Sequence, residues 1–139
     1  MNKAPTRDRS FPLHEDREFL SESEWVIFKL LCRPVDSFAH ADAHELSEAT
    51  GGQVSVSRCD QLIRTVRIRQ LPGLGSWIAR LLAEAGFDRD DLCRLPAKVV
   101  AARLNEHLGY PICNQATIQR LDELRMQWEE ISEAEGTNA

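Results

Sequence analysis

The stretch Leu71-Pro72-Gly73-Leu74-Gly75-Ser76-Trp77-Ile78-Ala79-Arg80-Leu81-Leu82 holds the residues best placed to do chemistry. Its apolar-x-Gly-apolar-Gly turn joins two helices. Gly73 and Gly75 permit backbone angles that a Cβ would forbid. Leu74, between them, plugs into the core and fixes the turn. A helix opening at Gly75 points its first N–H groups outward, with the positive end of the helix dipole behind them. Such an end can hold one phosphate. Arginines gather around it. Residues 58–80 carry Arg58, Arg64, Arg67, Arg69 and Arg80 against Asp60, a local charge of +4 in a chain whose total is −5. Residues 121–139 carry six acids against Arg125, net −5. A basic turn in an acidic protein is what a phosphate-backbone site requires. A protein-docking face has the same look. The candidate nucleic-acid-binding residues are Gly73, Leu74, Gly75, Ser76, Arg64, Arg67, Arg69 and Arg80.

Other constellations are weaker. His40 and His44 flank Asp42, but Asp42 is better explained as a helix N-cap, and no third ligand is in view. No metal site and no cofactor are expected. Ser, His and Asp residues occur without a nucleophile elbow, a phosphate loop or paired carboxylates. No catalytic residue is assigned, and the chain is expected not to be an enzyme. Cys32, Cys59, Cys93 and Cys113 include no C-x-x-C pair and read as reduced, small hydrophobes. Trp25, Trp77 and Trp128 read as core or interface residues, with Trp77 placed for exposure in the first turn after the hairpin.

The elements that must position these residues are helical. The chain has 139 residues, 42% hydrophobic and 28% charged, enough for one domain or two small units sharing a core. No apolar run approaches the ~18 residues that span a bilayer, and the first residues lack a secretory signal's apolar segment. A cytoplasmic location without membrane contact is expected. Residues 1–19 read as a flexible arm, 20–131 as the helical domain with its hairpin at 71–75, and 132–139 as a flexible acidic tail. Ser21 and Glu24 form a capping box for a helix from Glu22 to Cys32, stapled by Leu20 and Trp25. Asp42 caps a helix ending at Gly51, and Ser57 caps one carrying Leu62, Ile63 and Val66. A helix over Ser76–Ala85 ends at Gly86, and Asp88 caps a short one. Another runs from Pro96 to Leu108, with Gly109 after it. Asn114 caps the last, whose stripe is Ile118, Leu121, Leu124, Trp128 and Ile131. Trp25 and Trp128 are expected to join the first and last helices in one core. No useful strand alternation occurs. The fold class is all-α: a compact helical domain with one such hairpin and a second, degenerate helical repeat. At an offset of 58, residues 46–51 fall on 104–109, and Ile63, Val66 and Arg67 on Leu121, Leu124 and Arg125.

Residues 71–82 resemble the helix-hairpin-helix motif of DNA-repair and recombination proteins. Residues 44–96 more loosely resemble a bacterial and archaeal domain of unknown function built from tandem helix-hairpin-helix units. There Glu45-Leu46, Thr50-Gly51, the long helix, the hairpin, Ala85-Gly86-Phe87 and Asp91-Leu92 follow in order. The resemblance implies contact with DNA backbone without sequence readout. Ser76 and Trp77 depart from it, because DNA-binding hairpins often carry Lys or Arg there. The expected function is a non-catalytic module with weak, sequence-independent binding of DNA backbone. The alternative is a protein–protein adaptor or structural subunit, docking a partner or a copy of itself through the hairpin face or the last helix.

Overall fold

The computed structural model describes residues 14–137, with side chains placed for 16–131. Every regular element among them is helical. A 3-10 helix, His14–Glu18, precedes α1 (Glu22–Leu30). A second 3-10 helix, Val35–His40, precedes α2 (Ala43–Ala49) and α3 (Val56–Arg69). Then follow α4 (Ser76–Glu84), α5 (Arg89–Arg94), α6 (Ala97–Leu108) and α7 (Gln115–Thr137). No helix among the described residues is long and apolar enough to cross a membrane.

Local caps set these boundaries. The Ser21–Glu24 capping box closes in both directions, at 3.2 and 2.9 Å. Asp42 accepts from the His44 and Glu45 amides, and Asn114 from the Thr117 amide. One expected cap moves. Ser55, not Ser57, caps α3 and accepts from the Arg58 amide. Val54 beside it is buried, its carbonyl taken by the Ser47 hydroxyl, so the chain turns into the helix two residues earlier than the side-chain pattern suggested.

The caps also show a duplication. The N-caps Ser21, Pro34 and Asp42 recur as Gly75, Asp88 and Pro96, a constant offset of 54. The C-terminal turns of α1 and α4 repeat at the same offset. Cys32 (φ +53°) and Gly86 (φ +96°) are left-handed, and the next amides, of Arg33 and Phe87, each donate 3.0 Å back to Phe28 and Leu82. The offset grows to 58 at Gly51 and Gly109, and to 59 at Ser55 and Asn114, because α6 is longer than α2. Each unit is thus a helix, a short helix, a helix and a longer helix. The offset of 58 read from the sequence holds at Gly51 and Gly109 but not along α3 and α7, where the caps give 59 and set Leu62, not Ile63, against Leu121.

Each unit has its own core. The first gathers buried residues from Phe19 to Val66, with Phe28 and Phe38 edge to face at 4.8 Å. The second gathers residues from Ile68 to Trp128. Trp25 packs on the first and Trp128 lies inside the second, so the expected shared core of the two tryptophans does not form. α3 joins the units by packing against α4. Order also starts earlier than expected. Asp16 and Phe19 are buried, so residues 14–19 are not a loose arm, and residues 1–13 lie outside the described residues. At the other end the α7 backbone stays helical to Thr137, past the expected limit at Ile131.

A polar clasp closes the first unit. Arg58 Nε lies 2.7 Å from Glu24 Oε2, and its Nη2 donates to Glu24 Oε1 and the Phe19 carbonyl at 2.9 and 2.8 Å. Burial alone would raise the Glu24 carboxyl. Hydrogen bonds from Arg58 and the Ser21 amide, with the Arg58 charge, outweigh it and hold the carboxyl below its usual range. A depressed folded value means that the contribution is complete above the ordinary carboxylate range. It disappears as pH falls through the folded value. Glu24→Gln should therefore lower the melting temperature most near neutral pH, and the gap to wild type should narrow in acid. Melts from pH 7 to 3 check this. A gap independent of pH would mean that the clasp owes nothing to ionisation.

Candidate docking groove beside the hairpin

The chain leaves α3 through Leu71, which is buried, and turns so that the Leu74 amide donates to the Leu71 carbonyl at 3.4 Å. Gly73 sits at φ +93°, and a Cβ there would lie 2.5 Å from Leu124 Cδ2. The left-handed angle favours glycine at this point, and a Cβ would have to push the Leu124 methyl aside. Trp128 Nε1 donates to the Pro72 carbonyl at 2.9 Å. Helix α7 therefore seats on the near side of the turn. The far side is open. Gly75 is the N-cap of α4 without a side-chain cap, and nothing lies within 4 Å of where its Cβ would be. Ser76 is half-buried.

The four arginines expected around the turn are each engaged by acids of the same chain. Arg64 lies 3.0 Å from Asp60 and donates to the Gly86 carbonyl. Arg67 lies 3.0 Å from Asp88 and 3.8 Å from Asp90. Arg69 binds Asp16 at 2.8 Å and Asp36 at 3.1 Å, donates to the Ser76 hydroxyl, and covers the Phe19 ring. Arg80 lies 3.8 Å from Glu84. The local excess of positive charge is largely neutralised by Asp16, Asp36, Asp88, Asp90 and Glu84, most of them distant in sequence.

What the turn does present is apolar. A groove of about 520 Å³ opens between α4, α6 and α7. Leu74, Trp77, Ile78 and Leu81 form one wall, Leu104 and Leu108 the second, and Ile112 and Leu121 the third. Trp77 is 50% exposed and Ile112 48%. Leu74 packs against the second core only in part, and its remaining surface faces the groove. Arg120 is the charged side chain in the lining. α6 reaches the groove because Asn105 holds the loop after it, donating to the Cys113 carbonyl and accepting from the Cys113 amide at 2.7 Å. Burial raises the Cys113 thiol above its usual range. The expectation of Trp77 as an exposed residue identified one wall. Ile78 and Ile112 carried no sequence signal of their own.

Other candidates stay apart. Among the described residues no three His, Cys, Asp or Glu side chains come together as a metal site, and His40 and His44 are exposed on either side of Asp42. Cys59 is buried in the first core, as a small hydrophobe would be, whereas Cys32 is exposed. The chain matches no protein-family model, no curated protein and no solved structure.

Proposed function

We propose that this chain is a non-catalytic docking module whose second unit seats an apolar helix of another polypeptide. The observation that carries this is the apolar groove between α4, α6 and α7, which opens beside the turn. Its volume falls within the range of ligand-sized clefts, and its walls are aliphatic and aromatic. An amphipathic helix laid in such a groove buries anchors spaced by three or four residues. In this reading the helix-hairpin-helix turn is a rigid joint between two units, with α7 clamped on it through Leu124 and Trp128.

A second reading keeps the turn as a weak phosphate site. The open space at Gly75 and the uncapped start of α4 favour it. The arginines weigh against it, since each would have to leave an acidic partner to reach a backbone. One pair of measurements separates the two. An environment-sensitive apolar dye should bind wild type, and Ile78→Lys should abolish the signal without changing the circular dichroism. A labelled DNA duplex should show no binding tighter than the non-specific range of about 10⁻⁴–10⁻⁶ M at physiological salt. Dye binding that survives Ile78→Lys removes the docking reading. Tighter, salt-dependent duplex binding lost in Gly75→Glu installs the other.

A further inference from the structure

Among the matched positions at which the two units differ, one pair bears on the groove. Glu24 is the third residue of α1 and Arg58 the third of α3, counted from their N-caps Ser21 and Ser55. Together they form the clasp between α1 and α3 of the first unit. Counted from Gly75 and Asn114, the same positions are Ile78 in α4 and Thr117 in α7. Both line the groove. Gln61, which accepts from Arg58 at 3.1 Å, has Arg120 as its counterpart, also in the groove wall. Where the first unit has an ionic pair, the second thus has Ile78 and Thr117 on the wall of an apolar groove.

We infer that the occupant of this groove is helix α1 of a second copy of the chain, so that copies associate head to tail; this rests on the docking reading above. α1 carries the most exposed large apolar side chain among the described residues, Leu30 at 79%. Val26, 43% exposed, stands one turn before it, and Leu31 is exposed beside it. Residues four apart share a helix face about 6 Å apart, so Val26 and Leu30 form a ridge. Burying that ridge removes from water the surface least compatible with it. Glu22 begins the same row, one turn before Val26, and is exposed with no ionic partner among the described residues. Arg120 is the charged side chain in the groove wall and lies 3.3 Å from Glu123 in an exposed pair, which Glu22 would have to share or displace on docking. Ridge and groove belong to different units and are unlike surfaces. The contact is therefore heterologous, and each added copy leaves one ridge and one groove free.

Association is read by sedimentation over a range of concentrations. Wild type should rise above its 15.8 kDa monomer mass as concentration increases. Leu30→Glu should weaken association on the order of thirtyfold or more, as removal of a central anchor does. So should the clasp graft, Ile78→Glu with Thr117→Arg, which rebuilds the first unit's closure in the second. An equimolar mixture of the two variants should form a complex of two chains and no larger, since one brings an intact groove and the other an intact ridge. If the graft lowers the melt, Ile112→Lys in the exposed loop takes its place. A wild type that stays monomeric, or a Leu30→Glu protein that associates as wild type does, overturns the inference. The apolar dye tells the two failures apart. Monomeric wild type that binds dye, with the graft losing it, keeps the docking reading and rejects self-association. No dye binding by monomeric wild type rejects both.

Discussion

Trp128→Ala should destabilise the fold by about 3–5 kcal/mol, the range for emptying a buried large aromatic site. Trp128 is 1% exposed and fills the second core between Leu124 and the turn. Its indole N–H also holds the Pro72 carbonyl. Trp128→Phe keeps much of the volume but drops that hydrogen bond, and should cost about 1–3 kcal/mol. Denaturant unfolding monitored by circular dichroism checks both. The larger loss should weaken the seat of α7, which forms one wall of the groove, so dye binding should fall with it. An alanine variant within about 0.5 kcal/mol of wild type, as for a surface substitution, would mean that α7 does not hold the second unit together.

Arg69→Ala should cost about 3–5 kcal/mol, because it strips the guanidinium from a carboxylate that has left water. Asp16 has only 2% of its side chain exposed, and Arg69 only 18%. The same guanidinium reaches Asp36 and the Ser76 hydroxyl, so one side chain ties both 3-10 helices to α3 and the first turn of α4. Asp16→Leu combined with Arg69→Leu removes both charges and should recover much of the loss. Chemical denaturation of the single and double variants measures this. A double variant no more stable than Arg69→Ala would show that burial of the charge is not what the arginine relieves.

The parts of the fold that were legible in sequence are those decided within one helical turn. Ser21 with Glu24, Asp42, Asp88 and Asn114 each accept from an amide no more than three residues on, and all four were readable as caps. Ser55 and Ser57 compete two residues apart, and the choice falls to the burial of Val54, a tertiary effect. The arginine cluster was visible, but its neutralisation was not. Arg69 meets Asp16 and Asp36 across 53 and 33 residues, and Arg67 meets Asp88 across 21. Net charge over a window of sequence takes no account of such partners. The duplication was readable only where residue types repeat. Its clearest marks are backbone shapes shared by unlike residues, Cys32 with Gly86 and Ser21 with Gly75. The groove needed the pairing of the two units before Ile78 and Thr117 could be set against Glu24 and Arg58.

The separation of the two cores has a consequence for how the chain comes off the ribosome. Every buried residue of the first core lies between Phe19 and Val66 in one unbroken stretch. Once that stretch has emerged, the first unit has all the apolar material it uses, and its loops are short to close. The second core begins at Ile68 and waits for Leu124 and Trp128. During that interval α4 can already lie on the finished α3, while α5 and α6 have no α7 to pack against. The second core, beside which the groove forms, thus stays incomplete until the end of the described chain has emerged. Its apolar residues are open to a chaperone, or to a neighbouring nascent chain, for longer than those of the first.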